Sequence, residues 1–313
     1  KFKDFIELVE AKNDLHYLTT QDLKIDEEGR PELMSSPITE LFRAGDFPLS
    51  PTLLPSLVLF NANLWFGNAQ NGSSSGLHHD FHDNLYILLR GKKQFRLFSP
   101  SDALKMYTVG NIVKVHSNGR INYEGEVTRA DGADPTADKA ASAAALVDRA
   151  EKELEDAEAS NDPQRIAEAE KKVDQAMDAV LSIQMEGDVY DEDHSSSVVS
   201  NESKDSLAVK DPVNFCRVNL NAPVDETESK FPLFKDAAGT VCEVRTGEAL
   251  YLPAGWFHEV TSINVKDQDE EKGGHMAFNY WFHPPDRTGE DAFLKPYSSN
   301  FWAEDFKTRV QPS

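Results

Sequence analysis

Short hydrophobic segments recur on both sides of the middle of the chain. Each is rich in β-branched and aromatic residues and is bounded by Gly, Pro, Asn or Asp. Segments of this length and composition are typical of strands in a β-sandwich or barrel. The pattern predicts strands at Leu59–Phe66, Asn84–Leu89, Gln94–Phe98, Thr240–Arg245, Ala249–Leu252, His258–Ile263 and Met276–Phe282. The turn signal at Arg90–Lys93 predicts a β-hairpin between the second and the third of them.

The middle of the chain follows a different period. Alanine and branched aliphatic residues return every three or four positions in residues 140–157 and again in residues 166–183. This spacing predicts two amphipathic helices that pack as an antiparallel hairpin with an alanine-rich seam. Asp162 and Pro163 supply an N-cap and a first-turn proline for the second helix. Residues 186–206 are polar and acidic with little periodicity, and we expect them to be disordered.

Charge separates the same middle segment from the rest of the chain. The 313 residues carry a formal net charge of −22, and residues 124–211 account for −15 of it, with 24 acidic and 9 basic side chains. We therefore expect a mainly β barrel with flanking helices, interrupted by one helical insertion. The predicted segments are 1–123 (N-terminal helices and the first part of the barrel), 124–211 (the insertion), 212–286 (the second part of the barrel) and 287–313 (a C-terminal helical segment).

Composition excludes several classes of protein. The acidic average charge would repel a phosphate backbone, so we expect no direct nucleic-acid binding. No run of 18 apolar residues occurs, so we expect no membrane-spanning segment. Cys216 and Cys242 are too few for a disulfide framework and fit a reducing compartment, the cytoplasm or the nucleus. The chain begins KFKDF, without an initiator Met or the apolar core of a signal peptide, and we expect further residues upstream in the natural protein.

Candidate metal ligands lie on either side of the insertion. His78 and Asp80 are two positions apart, and on a strand such residues point to the same face. His258 opens a later predicted strand, directly after a turn at Pro253–Gly255, and can return to the same point. Two histidines and one carboxylate suit a non-haem Fe(II) site that leaves positions open for oxygen and a co-substrate. The alternative is an ordinary surface or hydrogen-bonded His–Asp pair.

Lys93 favours the metal-site interpretation. It lies fifteen residues after His78 on the next predicted strand, among apolar barrel residues. A lysine that points into a barrel is costly unless it meets an anion. A dicarboxylate that binds the metal at one end would present its far carboxylate to such a lysine. The alternative is a solvated hairpin charge like its neighbour Lys92.

Three stretches of the chain together resemble one family. They are SGLHHDFHDNLYILLRGKKQFRLF from Ser75, GEALYLPAGWFHEV from Gly247 and MAFNYWF from Met276. They resemble the JmjC (Jumonji-C) oxygenases that depend on Fe(II) and 2-oxoglutarate, and within that family the small JmjC-only lysyl hydroxylases. The segment NLWFG at Asn63–Gly67 and the NLY that begins at Asn84 are among the most specific pieces. The resemblance implies a double-stranded β-helix, a cupin-like jelly roll.

The resemblance also implies a role for each candidate site residue. It makes His78, Asp80 and His258 the Fe(II) ligands. The residues implied for 2-oxoglutarate are Ser75, Asn84, Tyr86, Lys93, Asn279 and Tyr17. The family usually has Thr at the position of Ser75. Trp65 and Trp281 would form walls of the pocket or, equally, part of the barrel core. Four nearby histidines match no ligand position, namely His79, His82, His275 and His283.

The reaction implied by the resemblance is oxidative decarboxylation of 2-oxoglutarate by dioxygen, coupled to hydroxylation of a nearby C–H bond. Hydroxylation of a lysyl side chain gives a stable alcohol, whereas hydroxylation of an N-methyl group leads to demethylation. The implied substrate is a protein or peptide, with a GTP-binding protein and a histone tail as alternatives. A non-enzymatic cupin-like binding protein is the third interpretation. Aromatic residues of the C-terminal segment would either form a homodimer through terminal helices or cover the barrel, namely Phe301, Trp302 and Phe306.

Overall fold

The computed structural model describes residues 2–11, 13, 15–26, 30–68, 73–194, 211–263 and 274–310. Contacts between residues divide the chain into two units. The first comprises residues 1–126, 130–132 and 211–313, and the second comprises residues 127–129 and 133–210. No helix in the described part of the chain is long and apolar enough to cross a membrane. The division into four segments made from the sequence stays a prediction.

Eleven strands occur in the described part of the first unit. They are β1 (Tyr17–Thr19), β2 (Leu59–Gly67), β3 (His78–His79), β4 (Asp83–Arg90), β5 (Lys92–Phe98), β6 (Ile112–Val115), β7 (Ile121–Tyr123), β8 (Gly239–Arg245), β9 (Ala249–Leu252), β10 (Phe257–Ile263) and β11 (His275–Phe282). All seven predicted strands are present, with ends that differ by at most two residues. Of the other four, β3 holds the candidate ligand His78, and the sequence pattern missed β1, β6 and β7 because three or four residues are too few to show alternation.

The strands form two large antiparallel sheets. One has the order β1–β2–β11–β4–β9 and the other has the order β3–β10–β5–β8, while β6 and β7 form a separate pair. A shared hydrophobic cluster joins the two large sheets, with Leu88 and Ala277 from one and Phe95 and Val244 from the other. Apart from the pairing of β1 with β2, every pairing within the two large sheets joins a strand that precedes the insertion to one that follows it. This architecture confirms the predicted jelly-roll fold class.

The connection between β4 and β5 differs from the prediction. β4 pairs with β11 and β9, whereas β5 pairs with β10 and β8, so the two strands belong to different sheets. The hairpin predicted at Arg90–Lys93 is therefore wrong, and the segment is a corner between the sheets. Gly91 has a φ of +90°, and a Cβ at this position would lie 3.0 Å from Cβ of His275. A glycine makes this corner possible because the positive φ and the close approach both disfavour a side chain.

Alternation along β11 separates an apolar face from the interior of the barrel. Phe278, Tyr280 and Phe282 belong to a hydrophobic cluster that includes Ile38 and Leu64. Successive side chains on a strand point to opposite faces, so the intervening residues of β11 face the other way. These intervening residues are His275, Ala277, Asn279 and Trp281. β11 thus supplies both a core face and polar groups for the interior.

The described helices are α1 (Phe2–Glu10), α2 (Ile38–Arg43), α3 (Pro135–Ser160), α4 (Pro163–His194), α5 (Val224–Lys230) and α6 (Phe301–Val310). The aromatic residues of α6 contact the barrel. The Trp302 ring stacks on His283 with the ring centroids 3.5 Å apart, and its Nε1 donates to the carbonyl of Asp131. Phe306 packs against the cluster that contains Phe278. These aromatic residues of α6 thus cover the barrel. The homodimer through the terminal helices stays a prediction.

The second unit contains the predicted helical hairpin. The Asp134 carboxylate accepts from the backbone N–H groups of Thr136 and Ala137, which caps α3. Small residues form the seam between α3 and α4, and the buried ones are Ala143, Ala150, Ala157, Ala169 and Ala176. α4 extends to His194, and residues 195–206 lie outside the described part of the chain, so the disorder expected for residues 186–206 stays a prediction.

Candidate active site

The three predicted metal ligands come together between two neighbouring strands. β10 pairs with β3, and His258 lies directly opposite His78. Asp80 follows the end of β3. Ligand atoms of the three residues lie within 4.8 Å of one another, and His258 Nε2 is 3.7 Å from Asp80 Oδ2. Across the described ranges, no other three His, Cys, Asp or Glu side chains converge in this way.

Hydrogen bonds orient both imidazoles of this cluster. Nδ1 of His78 lies 2.9 Å from the carbonyl oxygen of Gly76, and Nδ1 of His258 lies 3.0 Å from that of Trp256. Because a carbonyl oxygen accepts, each Nδ1 carries the proton and each Nε2 keeps its lone pair. Burial, together with the nearby His78, lowers the pKa of His258 to about 4. The His258 ring is therefore neutral at physiological pH, as a metal ligand must be.

A tightly packed turn brings His258 close to Asp80. The backbone N–H of Gly255 donates to the carbonyl of Asp80 at 2.9 Å, and that of Ala254 donates to the Asp83 carboxylate at 2.9 Å. Gly255 has a φ of +77°, and a Cβ at this position would lie 1.8 Å from the carbonyl oxygen of Gly119. No side chain fits there. The predicted turn therefore requires a glycine in order to bring the two halves of the ligand set together.

The three ligands open onto a cavity of about 710 Å³. This volume lies in the range of pockets that bind small molecules. The predicted site residues that line it are His78, Asp80, His258, Ser75, Asn84, Tyr86, Lys93 and Tyr17. Of the predicted site residues, Asn279 alone does not line it. The cavity thus brings together groups from both sheets.

Lys93 lies at a second polar end of this cavity. Its side chain is buried, with 4% of the residue exposed, and Nζ donates to Ser262 Oγ at 2.6 Å. Nε2 of His275 lies 3.4 Å from the same Oγ. Burial lowers the pKa of Lys93 to about 7, since no carboxylate among the described residues offsets the loss of hydration. The alternative of a solvated lysine at a hairpin is excluded by this burial.

Two tyrosines are grouped with Lys93 at this end. Tyr17 comes from β1 and packs against His275 with the ring centroids 5.6 Å apart. Tyr17 keeps 48% of its surface exposed, and partial burial of its phenol raises its pKa to about 12, whereas burial of Tyr86, together with the proximity of Tyr17, raises the pKa of Tyr86. Both phenols therefore keep their protons and can donate hydrogen bonds to an anion. The lysine end combines one cationic donor with neutral hydroxyl donors.

Asn84 and Asn279 occupy different positions. Asn84 lines the cavity, whereas Asn279 is fully buried behind it. Asn279 Oδ1 accepts from Trp65 Nε1 at 2.8 Å, and its Nδ2 donates to Asn84 Oδ1 at 3.1 Å. Asn279 therefore orients Trp65 and Asn84 rather than facing the cavity itself.

The Ser75 hydroxyl is used by the backbone around the metal ligands. Its Oγ accepts from the backbone N–H of Val260 at 2.9 Å and donates to the carbonyl of Gly76 at 2.9 Å. The residue lines the cavity, and its hydrogen bond with Val260 ties the segment before β3 to β10, whereas the bond to Gly76 is local. In this arrangement Ser75 stabilises the neighbourhood of His78.

Two buried donors in the cavity wall have no partner within the described ranges. They are Nε1 of Trp281 and Nδ2 of Asn68. A buried donor that lacks a partner is costly, so each is suited to a ligand that brings an acceptor. Trp281 was predicted as a wall residue, whereas Asn68 was missed because it lies just beyond the NLWFG segment, after the end of β2.

Most of the histidines that match no ligand position have structural contacts. His79 hydrogen-bonds to Tyr123 Oη at 2.7 Å, and His82 stacks on Phe60 with the ring centroids 3.8 Å apart. His275 differs, because it lines the cavity beside Lys93. The signal that could have found it is its position four residues before Asn279, on the same face of β11.

Comparison with known proteins agrees with this architecture. Residues 1–288 match the family model described as a cupin-like domain. The chain belongs to this family. The cupin-like chain is 34% identical to JmjC domain-containing protein 4 of Schizosaccharomyces pombe, over 82% of this chain and 61% of that protein. The chain thus spans less than two thirds of the length of this relative.

Two shorter matches have more descriptive names. The cupin-like chain is 37% identical to the lysine-specific demethylase JMJ32 of Arabidopsis thaliana, over 24% of this chain and 23% of that protein. It is 35% identical to the bifunctional peptidase and (3S)-lysyl hydroxylase JMJD7 of Homo sapiens, over 19% of this chain and 16% of that protein. These relatives confirm the JmjC resemblance.

The residues of this cupin-like domain fit the groups that JmjC proteins typically use. Two imidazole nitrogens and one carboxylate oxygen within 4.8 Å form a donor set suited to Fe(II), with open positions on the cavity side. At the other end, the buried Lys93 lacks an anionic partner among the described residues. The two sites are chemically complementary to a dicarboxylate such as 2-oxoglutarate, because one carboxylate suits a metal and the other suits a lysine.

Proposed function

We propose that this chain is an Fe(II)- and 2-oxoglutarate-dependent oxygenase that hydroxylates a side chain of a protein substrate, with lysine as the target residue. The observation that carries the proposal is the pairing, in one cavity, of the cluster His78–Asp80–His258 with the buried Lys93. When bound, Fe(II) and 2-oxoglutarate supply the chemistry that turns dioxygen and a C–H bond into an alcohol, with release of succinate and carbon dioxide.

The chain itself contributes binding and orientation. His78, Asp80 and His258 would hold the metal through the lone pairs that their hydrogen bonds leave free. Lys93 would hold the far carboxylate of the co-substrate and so fix the end that reaches the metal. Aromatic walls at Trp65 and Trp281 would exclude water from the reacting carbon.

The charge of the cavity favours hydroxylation over demethylation. Among the described residues that line it, Asp80 supplies the one carboxylate, and the metal would use that carboxylate. Demethylation requires a cationic nitrogen one bond from the reacting carbon, close to the metal and in the cavity of Lys93. Hydroxylation of a lysyl side-chain carbon allows the ammonium group to lie farther from these charges. A histone lysine demethylase is the second candidate, and the short match to a lysine-specific demethylase favours it.

The partners proposed here follow from the same reaction. The substrate is a protein or peptide, with a GTP-binding protein as the first candidate and a histone tail as the second, and the proposed location is the cytoplasm or the nucleus. A homodimer through the terminal helices remains a separate proposal.

Succinate release with a panel of peptides tests this proposal. Lysyl peptides and their N-methylated counterparts are incubated with the chain, Fe(II), 2-oxoglutarate and ascorbate, and the products are analysed by mass spectrometry. We expect a gain of one oxygen atom on an unmethylated peptide, and none with His78→Ala. Loss of methyl groups without added oxygen would favour the demethylase. Absence of succinate release with every peptide and without peptide would favour a non-enzymatic binding protein.

A further inference from the structure

Three side chains from three strands form a short polar chain at the lysine end of the cavity. Lys93 lies on β5, Ser262 on β10 and His275 on β11. Lys93 Nζ is 2.6 Å from Ser262 Oγ, and Ser262 Oγ is 3.4 Å from His275 Nε2. Each of the three residues is buried, with 3% to 4% of its surface exposed, and each lines the cavity. The sequence motifs assign a role to Lys93 alone.

The direction of the first hydrogen bond follows from the chemistry of its groups, and that of the second depends on the tautomer of His275. A lysine ammonium can only donate, so Ser262 Oγ is the acceptor of the first bond. Burial, and then the nearby charge of Lys93, lower the pKa of His275 to about 3, so its ring is neutral. A neutral imidazole offers one nitrogen as an acceptor. With Nε2 as that acceptor, the Ser262 hydroxyl donates to His275 and keeps its oxygen lone pairs directed at Lys93.

The backbone around His275 is tightly packed, which fixes the position of this residue beside Ser262. Gly274, directly before it, has a φ of +80°, and a Cβ on Gly274 would lie 2.8 Å from the carbonyl oxygen of Gly67. On the other side, a Cβ at Gly91 would lie 3.0 Å from the Cβ of His275. The Tyr17 ring covers the imidazole with the centroids 5.6 Å apart. The backbone and Cβ of His275 are therefore closely packed, and the Tyr17 ring lies against the imidazole beside Ser262.

We infer that His275 is a positioning residue for co-substrate binding, which acts through Ser262 to hold the Lys93 amine toward the far carboxylate of 2-oxoglutarate. The inference rests on the proposed function and deepens it. A flexible lysine loses rotamer freedom when it binds an anion, and a side chain that is already held loses less. His275 and Ser262 would therefore strengthen binding of ligands that carry the far carboxylate and have little effect on ligands that lack it.

Two ligands separate this role from a merely structural one. 2-Oxopentanoate has the same five-carbon chain and the same metal-binding end as 2-oxoglutarate, but it has a methyl group in place of the far carboxylate. Binding of both ligands to the full chain loaded with Mn(II) is measured by isothermal titration calorimetry. His275→Phe keeps an aromatic ring beside Tyr17 and removes the nitrogen that faces Ser262. We expect it to weaken 2-oxoglutarate binding by about fivefold, the scale of one lost hydrogen bond, and to leave 2-oxopentanoate binding unchanged.

Further variants test the same chain of contacts. Ser262→Ala removes the middle member, and we expect the same selective loss. His275→Gln presents an amide with an acceptor and donors, and we expect it to recover most of the 2-oxoglutarate affinity. The matched control is His283→Gln, because His283 is equally buried just after the opposite end of β11 and does not line the cavity. We expect this control to leave the preference between the two ligands unchanged.

The outcomes distinguish this inference from the proposed function. If the wild-type chain binds 2-oxoglutarate and His275→Phe weakens both ligands equally or neither, the positioning role is wrong while the proposed function stands. If a misfolded His275→Phe prevents the comparison, the selective loss in Ser262→Ala decides it. If the wild-type chain with Mn(II) binds neither ligand, the proposed function fails and the inference fails with it.

Discussion

The two ends of the cavity hold their charged groups by different means. At the metal end, His78, Asp80 and His258 converge within 4.8 Å, and backbone carbonyls orient both imidazoles. At the lysine end, a single buried cation is held by the Ser262 hydroxyl, with His275 behind it. At the metal end, metal-ligating atoms converge and would bind a cation. At the lysine end, a buried cation would bind an anion.

The difference indicates that one elongated ligand would serve both ends. Mutually close ligand atoms are costly without a metal, because their lone pairs face one another without protons between them. A buried ammonium is costly without an anion, and its lowered pKa expresses that cost. Substitutions at each end should therefore have separate signatures, one in metal binding and the other in the affinity for dicarboxylates.

The largest effect is expected from His78→Ala, at the metal end. Loss of one of three ligands should weaken metal binding by more than about a hundredfold, because even residues that merely orient ligands contribute tenfold to a hundredfold. Titration of the chain with Mn(II) measures this directly. His16→Ala is the control, since His16 lines the cavity but is exposed and does not belong to the cluster. Unchanged Mn(II) affinity in His78→Ala would contradict the assignment of the metal end.

A smaller effect is expected from Lys93→Met, at the lysine end. Loss of a charged hydrogen-bond donor should weaken 2-oxoglutarate binding by about tenfold to a hundredfold, with Mn(II) binding unchanged. Without ligand, the Lys93→Met variant should have the same melting temperature as the wild type or a higher one, because it no longer buries an amine that lacks an anionic partner. The control is Lys92→Met, since Lys92 pairs with Glu243 at the surface at 2.7 Å. Equal effects of the two substitutions on 2-oxoglutarate affinity would refute a special role for Lys93.

The lysine end should also make 2-oxoglutarate binding depend on pH. The pKa of the ligand-free Lys93 is about 7, and a bound carboxylate favours the protonated amine, so binding takes up a proton above this pH. The affinity should be constant below about pH 7 and fall by up to about tenfold per pH unit above it. Tyr17, Tyr86 and His275, the other titratable groups at this end, keep one protonation state near pH 7 to 8.

Calorimetry at several pH values tests this dependence, with 2-oxopentanoate as the reference ligand. That ligand has no far carboxylate, so its affinity should lack the decline that is due to Lys93. If the affinities of both ligands decline equally with pH, the titrating group belongs to the metal end instead of being Lys93.

The smallest effect is expected from Tyr17→Phe. Loss of one neutral hydroxyl donor at the lysine end should weaken 2-oxoglutarate binding by about threefold, the scale of a weak neutral hydrogen bond. Tyr280→Phe is the control, because the Tyr280 hydroxyl donates to the carbonyl of Pro48 at 2.8 Å and does not line the cavity. Identical calorimetric affinities of Tyr17→Phe and the wild type would remove Tyr17 from the site.

Much of the metal end could be predicted from the sequence because local rules determine it. The spacing of His78 and Asp80 predicted their convergence, although β3 ends at His79 and Asp80 lies just beyond it. The glycine-containing turn before His258 was also visible as a motif. Strand positions were found for the same reason, since seven segments carry strong β patterns. The corner at Gly91 was mistaken for a hairpin because the same residues suit both, and only strand pairing distinguishes them.

The lysine end was only partly predictable because it is assembled from distant segments. Tyr17 and Lys93 were identified through the resemblance, but the supporting roles of Ser262 and His275 depend on the register between β5, β10 and β11. Ser262 lies opposite Lys93 in the pairing of β10 with β5, a relation that no short motif contains.

The interleaving of strands has a consequence for the integrity of the molecule. Strands encoded before residue 124 alternate with strands encoded after residue 211 across most of both large sheets. A protease cut within the intervening segment would break one peptide bond and leave every ladder of backbone hydrogen bonds between the halves intact. The nicked fragments should therefore remain associated until a denaturant separates them. Neither fragment alone contains all three of His78, Asp80 and His258, so this cluster would form only where both fragments fold together.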